Sequence, residues 1–209
     1  MTIFKFIFRS LWFFRKQQLA LLAGTILSTA VLTGALIIGD SVKYSLKELV
    51  NIRLGETRYA MVSGDRFVSD HLAASLSKKL ETKAAAIIIV PGIGINSEIN
   101  LRVNSIQILG IENSFWQFAN SATNELKDDE AIISENTAQQ LNLKQGEEIL
   151  LRIENISVIP LNAPFASQTQ PSVSIRLKII KIANNDELGR FSLKSNQAAP
   201  YNVFVSKSL

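Results

Sequence analysis

The longest hydrophobic pattern in the chain is the run from Leu19 to Gly39, in which 21 consecutive residues carry no charge. A helix rises about 1.5 Å per residue, so the run covers roughly 30 Å, the thickness of the hydrocarbon core of a bilayer. The pattern therefore predicts one transmembrane helix over residues 19–39. The nearest rival, Ala84 to Ile95, is short and is interrupted by proline and glycine, so no second span is expected.

The segments on either side of this run have patterns of their own. Residues 1–18 are basic and aromatic, and Ile3 to Phe14 suits a helix that lies at the membrane interface with its cations on anionic lipid. The alternative for this segment is a hydrophobic basic tail. Residues 40–55 have an apolar stripe at helical spacing, which predicts an outward stalk that Gly55 ends.

From residue 56 onward the pattern predicts an α+β domain of mixed strands with a few helices, standing on the single N-terminal transmembrane helix. One helix is expected from an Asp70 cap to about Lys83, with Leu72, Ala73, Leu76 and Leu80 facing inward. A second helix is expected to begin at Ser134 or Glu135, with Ala138 and Leu141 facing inward. The predicted strands are Tyr59 to Ser63, Ala84 to Val90, Glu98 to Val103, Ser105 to Leu109, Ala131 to Ser134, Glu148 to Ile153, Ser172 to Ile182 and Tyr201 to Val205.

Two segments of this domain are predicted to connect secondary-structure elements. Pro91-Gly92-Ile93-Gly94 is expected to form a turn, since it lacks the further residues of a phosphate-binding loop. Residues 162–172 are expected to form an exposed loop.

Charge gives the membrane helix a direction. Lys5, Arg9, Arg15 and Lys16 precede the apolar run without an acidic neighbour, and they account for the whole excess of 22 Lys plus Arg over 18 Asp plus Glu. The outer part is electrically balanced, so nucleic-acid binding is not expected. Short segments rich in Lys and Arg stay cytoplasmic. The sequence thus predicts a membrane protein with a cytoplasmic N-terminus and residues 40–209 outside. In a bacterium the membrane would be the inner membrane, and the outside would be the periplasm or cell surface.

The residues that carry chemistry form no recognisable site. There is no cysteine, and a single histidine, His71, excludes a zinc site of several histidines. Asp128, Asp129 and Glu130 are expected in a solvated loop, because sequential carboxylates on a turn rarely converge on one bond. The sequence predicts no catalytic, cofactor-binding or metal-binding residue, and no enzymatic activity.

Small residues recur on one side of the predicted span. Spacings of four, four, seven and four keep them on one helical face, where a second helix can approach closely. The alternative is a simple anchor with incidental small residues. The helix-packing candidates are Ala20, Gly24, Ser28, Ala35 and Gly39.

Two longer stretches, and a weaker third, carry a family resemblance. The first stretch is Leu32 to Arg66, which contains Gly39-Asp40-Ser41 and Arg53-Leu54-Gly55. The second is Glu130 to Arg152, which contains Ile132-Ile133-Ser134-Glu135 and Leu141-Asn142-Leu143. The weaker third is Pro200 to Val205. They resemble the N-terminal part of FtsX-like ABC transporter permeases that have a MacB-like periplasmic core domain.

That resemblance implies a permease that works as a dimer beside a cytoplasmic ABC ATPase, which would bind the ATP. It also implies three further helices near the C-terminus. Because the printed sequence ends at Leu209, we expect a split or truncated N-terminal portion with an incomplete core domain over residues 56–209. Its task would be export or lipoprotein handling. The alternative is a single-pass periplasmic binding or scaffold protein without transport activity.

A cleaved signal peptide is the competing interpretation of residues 1–39, with Thr33 and Ala35 imitating a cleavage site. Its apolar segment would have about 7 to 15 residues, which is shorter than this run. We therefore expect the mature protein to keep its N-terminal segment, as checked by N-terminal sequencing of protein from membranes. A mature chain that begins near Leu36 would contradict the anchor.

Overall fold

The computed structural model describes residues 3–63, 68–69, 71–119, 125–154, 172–194 and 198–209. The helices are α1 (Ile3–Phe13), α2 (Arg15–Leu54), α3 (His71–Leu80) and α4 (Glu135–Leu141), and short 3-10 helices cover Asn113–Phe118 and Asn185–Glu187. The strands are β1 (Ile88–Asn96), β2 (Leu101–Ile111), β3 (Glu130–Ser134), β4 (Glu148–Glu154), β5 (Ser172–Ala183) and β6 (Tyr201–Ser206). The chain divides into two compact units, Met1–Leu49 and Val50–Leu209, with the boundary inside α2.

The first unit contains α1 and most of α2. None of the residues of these two helices is buried. At 40 residues α2 is one continuous helix that covers the predicted span over 19–39 and nearly all of the predicted stalk over 40–55. Gly55 follows its last residue with a positive φ of 54°, a conformation that glycine adopts without strain and that commonly ends helices.

The second unit is built on a closed six-stranded barrel in the order β1-β2-β6-β3-β5-β4. The pairs β2–β6 and β3–β5 are parallel, and the other four pairs are antiparallel. The mixed α and β content agrees with the sequence. The strand order did not follow from the sequence, because parallel pairing joins segments that are distant along the chain.

The interior of the barrel is an aliphatic cluster to which every strand except the glycine-containing β1 contributes a buried residue. α4 adds Ala138 and Leu141, the two residues predicted to face inward. Such close-packed aliphatic side chains are worth about 25 cal/mol for each Å² of apolar surface removed from water. Buried strand residues of this cluster are Val103, Ile106, Ile108, Ala131, Ile133, Ile149, Leu151, Leu177, Ile179, Val203 and Val205.

A second buried cluster covers the outer face of β2, β3 and β6 and includes Ala183 at the end of β5. It is rich in aromatic rings: Phe115 stacks edge-on against Trp116 and Phe191, with ring centroids 5.3 and 5.1 Å apart. β2, β3 and β6 contribute Leu109, Ile132 and Phe204 among others, so these strands are buried on both faces. This explains their uninterrupted apolar stretches, since a strand covered on one side only would have alternating apolar and polar residues. We call this second group the aromatic cluster.

The Pro91–Gly94 segment was predicted to be a turn, and this is wrong. It lies in the middle of β1, with a register shift between Gly92 and Gly94. A Cβ at Gly92 would lie 2.5 Å from the Cδ1 of Ile108, and one at Gly94 would meet the Cδ1 of Ile106. These glycines therefore leave room for the side chains of β2, and they do not turn the chain.

Five further predictions needed correction or adjustment. The strands predicted over 98–103 and 105–109 are parts of one strand, β2, and residues 98–100 form a turn before it. The strand predicted over 84–90 begins only at Ile88 and continues to Asn96. Tyr59 to Ser63 is not a strand, because it pairs with no other strand among the described residues. α3 stops at Leu80, and both Leu76 and Leu80 are exposed, so its predicted inner face is only half covered.

The predicted strands corresponding to β3, β4, β5 and β6 match within one residue at each end. α4 begins at Glu135, one of the two predicted first residues, and Ser134 precedes it as the N-cap residue. The predicted Asp70 cap and most of the predicted 162–172 loop lie outside the described residues.

The last turn of α2 is held against the aromatic cluster. Leu54 packs against that cluster, and the backbone N–H of Glu56 donates to Phe118 O at 3.0 Å. Lys83 Nζ reinforces the junction by contacting Glu56 Oε2 at 3.1 Å and Gln117 O at 3.2 Å.

The residue that follows α2 has no room for a side chain. A Cβ on Gly55 would press against Phe118 O and lie 2.7 Å from the Cδ2 of Leu188. Only glycine fits here.

Gly55→Ala should lower the free energy of unfolding of the 50–209 unit by about 2–3 kcal/mol, from backbone strain at positive φ together with the steric clash. Gly146→Ala is the matched control, because Gly146 also has a positive φ (94°) but open space around its Cβ position. Denaturant unfolding of the detergent-solubilised chain, followed by near-UV circular dichroism, measures both. If Gly146→Ala lowered the free energy of unfolding as much as Gly55→Ala or more, the tight packing around Gly55 would be contradicted.

Candidate functional site

The most distinctive surface of the described chain is the apolar part of α2. α2 is long and apolar enough to cross a membrane by length and composition, with a mean hydropathy of 2.1 over its best window and no part of that window buried. Its large apolar side chains are exposed along the whole run. The helix is therefore not the buried core helix of a soluble domain, which would pass the same length test.

Threonine hydroxyl groups on α2 donate hydrogen bonds to backbone carbonyl groups of the preceding helical turn. Thr25 Oγ1 donates to Leu22 O at 2.9 Å, Thr29 Oγ1 to Thr25 O at 2.5 Å, and Thr33 Oγ1 to Thr29 O at 2.6 Å. An unpaired hydroxyl is costly in hydrocarbon, so this back-bonding makes the run compatible with lipid. This ladder was not predicted, although the spacing of four residues between the threonines is visible in the sequence.

The predicted helix-packing residues all lie exposed on α2. Cβ atoms added at Gly24 and Gly39 meet nothing within 4 Å, so no described residue of this chain explains those glycines by packing. Ala20, Ser28 and Ala35 are exposed as well. The small-residue face is open, and its role in helix packing stays a prediction.

The single histidine and the acidic residues considered for catalysis lie on different elements. His71 is exposed at the first position of α3. Asp128 and Asp129 occupy an exposed turn before β3, while the Glu130 carboxylate accepts from the backbone N–H of Lys127 at 3.2 Å. The prediction of a solvated loop is confirmed for the two aspartates. Among the described residues, no group of three or more His, Cys, Asp or Glu side chains could hold a metal ion.

Buried polar side chains form a network where β3, α4 and β6 meet. Ser134 Oγ accepts from the backbone N–H of Asn202 at 3.0 Å and lies 2.8 Å from Thr137 Oγ1. The Asn202 amide group donates to Gly189 O at 3.0 Å and Phe191 O at 2.9 Å. These hydrogen bonds tie β6 to β3 and α4.

A surface cleft of about 560 Å³ lies beside the aromatic cluster. Trp116 and Leu126 supply its apolar wall, and Ser206, Lys207 and Ser208 supply much of its polar wall. Lys207 is nearly buried, and its Nζ lies 2.8 Å from Glu112 Oε1. Because this ion pair neutralises the lysine within the cleft, the cleft offers no uncompensated charge from that residue to a ligand.

The turn before β3 is linked to the end of β6 by a hydrogen-bonded chain of side chains. Ser208 Oγ donates to Asp128 Oδ1 at 2.5 Å, and Ser206 Oγ lies 2.6 Å from Ser208 Oγ. The hydrogen bond from Ser208, and then that from Ser206, lower the pKa of the Asp128 carboxyl group. The ionised carboxylate is the better acceptor, which is why it is favoured here.

Comparisons with known proteins give a limited result. No protein-family model matches the chain, and no curated protein matches it. Among solved structures, the chain is similar to the crystal structure of the periplasmic region of MacB from Actinobacillus actinomycetemcomitans, with 11% sequence identity and a TM-score of 0.39. The match covers 68% of this chain and 56% of that one. At this identity and TM-score the similarity assigns neither a family nor a function.

Ser208→Ala should raise the pKa of Asp128 toward its ordinary value, because the carboxylate loses the hydrogen bond that Ser208 Oγ donates to it. Since the pKa is lowered in the folded protein, the associated stabilisation is present above the unfolded pKa, near 3.8, and is lost as the pH falls through the folded value. NMR titration of the Asp128 carboxyl carbon gives the shift. Ser114→Ala, at the same cleft, is the control, and an equal effect of both variants would contradict the assignment.

Proposed function

We propose that this chain is the N-terminal portion of an FtsX-like ABC transporter permease, with a MacB-like core domain outside the inner membrane. In this proposal α2 crosses the membrane with its N-terminus in the cytoplasm. A separate cytoplasmic ABC ATPase binds and hydrolyses ATP, and the chain couples that cycle to export or lipoprotein handling outside the cell membrane. The chain itself carries no catalytic activity.

One observation supports coupling most directly. The helix that contains the uncharged run is continuous to Leu54, and its last turn is packed on the aromatic cluster. Gly55, Glu56 and Lys83 fix that turn to the 3-10 helix at residues 113–118. Movement of the last turn of α2 would therefore be passed to buried residues of the barrel and would not be absorbed by a flexible linker.

The open small-residue face supports a helical partner. Helices in lipid associate through close van der Waals contact, because apolar side chains gain little by leaving lipid. Exposed glycines at positions 24 and 39 have no packing role among the described residues, which a partner helix would explain. The partner in this proposal is a second copy or the remaining permease helices.

A second candidate function is a single-pass binding or scaffold protein. The closed barrel favours it, since all six strands are paired and two buried clusters support them. In this case α2 is only an anchor, and the small residues on it are incidental.

Site-specific photo-crosslinking in membranes tests the two functions. The chain has no cysteine of its own, so a single introduced cysteine defines the labelled position. Ser28→Cys lies on the small-residue face, and Ile26→Cys lies about 160° away around the helix. Each cysteine is labelled with a small diazirine reagent, and the adducts are identified by mass spectrometry. We expect Ser28→Cys to give adducts with a second copy or with permease helices, and Ile26→Cys to give lipid adducts.

Protein adducts of equal yield from both positions, or from neither, would overturn the packing face and favour the anchor. An adduct of Ser28→Cys with an unrelated membrane protein would also argue against a permease. Nearly full retention of both variants in the membrane after alkaline carbonate washing checks that the labelled chains are inserted.

A further inference from the structure

α1 is an amphipathic helix that is separated from the span by a break. It ends at Phe13, Phe14 lies in a turn, and α2 begins at Arg15. None of its residues is buried. The exposed large apolar side chains of this short helix are Ile3, Phe4, Phe6, Ile7, Phe8, Leu11, Trp12 and Phe13. Such a surface is unfavourable in water, and it fits the boundary between headgroups and acyl chains.

The polar edge of α1 is narrow and entirely cationic. At 100° per residue Lys5, Arg9 and Trp12 fall within an arc of about 60°. Lys5 and Arg9 are one turn apart, which places their Cβ atoms about 5–6 Å from each other. Across the break, the Arg15 guanidinium carbon lies 5.9 Å from the centre of the Trp12 ring. Lys5, Arg9 and Arg15, together with Trp12, form what we call the cationic edge.

No carboxylate of the surrounding sequence can neutralise this edge. The first acidic residue of the chain is Asp40, beyond the uncharged run. Residues 1–39 therefore supply no counter-charge of their own, and a phosphate group of another molecule is a suitable source. A phosphate group between side chains one helical turn apart satisfies both charges, and Arg in particular matches the geometry of phosphate oxygens.

We propose that the cationic edge selects anionic phospholipid headgroups, so that α1 lies in an anionic patch of the cytoplasmic leaflet. The breadth of the apolar arc favours lipid as the occupant, because lipid covers the apolar arc and supplies the phosphate at the same depth. The inference rests on the membrane placement in the proposed function, and it does not depend on the ATPase or on a helical partner.

The two tryptophans allow a direct measurement. Trp116 is buried in the aromatic cluster, so Trp116→Phe leaves Trp12 as the one reporter of the cationic edge. The full chain is placed in nanodiscs of equal parts phosphatidylcholine and phosphatidylglycerol, with brominated acyl chains on one lipid or on the other. Because one cation near an anionic surface is favoured by roughly a factor of five, brominated phosphatidylglycerol should quench Trp12 at least about twofold more strongly.

Matched charge variants separate this selection from a general effect of net charge. Lys5→Gln combined with Arg9→Gln should bring the ratio of the two quenching values close to one. Lys78→Gln combined with Lys79→Gln removes two exposed positive charges from α3 instead and should leave the ratio unchanged. High salt should reduce the ratio in the parent protein, since exposed charges are screened.

Equal quenching by both lipids in the parent protein would overturn the proposal, as would a preference that survives the loss of Lys5 and Arg9. Absence of quenching by either lipid would place α1 outside the membrane interface and would also overturn it. Retention of the chain in the nanodisc fraction tests the placement of α2 separately. The crosslinking of Ser28→Cys tests the helical partner, so the failure of one proposal is distinguishable from the failure of the other.

Discussion

Closure of the six-stranded barrel is the constraint on which the described structure from Val50 onward depends. β1 completes the ring by pairing with β2 on one side and β4 on the other, and it can do so only where glycine leaves room for the side chains of Ile106 and Ile108. Closure removes strand edges, which would otherwise be open to pairing with other chains. A partner therefore cannot join this unit by pairing with a free edge of the barrel.

The charged residues around the aromatic cluster act mainly as supports. Lys83 and Glu56 brace the end of α2, and Lys207 and Glu112 brace the end of β6. An exposed ion pair such as Lys83–Glu56 contributes little energy, at most about 1 kcal/mol. The value of both pairs here is positional, because they hold segments distant in the sequence against the same buried rings. This use of charge accounts for side chains that might otherwise suggest an active site.

The N-terminal unit follows a different rule. In water its exposed apolar side chains would be unfavourable, whereas in lipid they need no further cover. The threonine back-bonds on α2 and the location of the chain's excess positive charge in residues 5–16 are both consistent with that environment. The proposed membrane placement thus rests on two kinds of observation, the local hydrogen bonding and the distribution of charge.

The sequence by itself determined the features that depend on neighbouring residues. The length of α2, the stop at Gly55, the strands β3 to β6 and the start of α4 followed from local hydrophobic patterns and from glycine. Only the tertiary structure decided that Pro91–Gly94 is a strand, that Tyr59–Ser63 is not one, and that the barrel closes through two parallel pairs. A glycine next to a proline is compatible with a turn or with a crowded strand, and the choice depends on side chains contributed by β2, a different strand. Pairing between distant segments leaves no local signal, because its energy comes from contacts that exist only once the chain has folded.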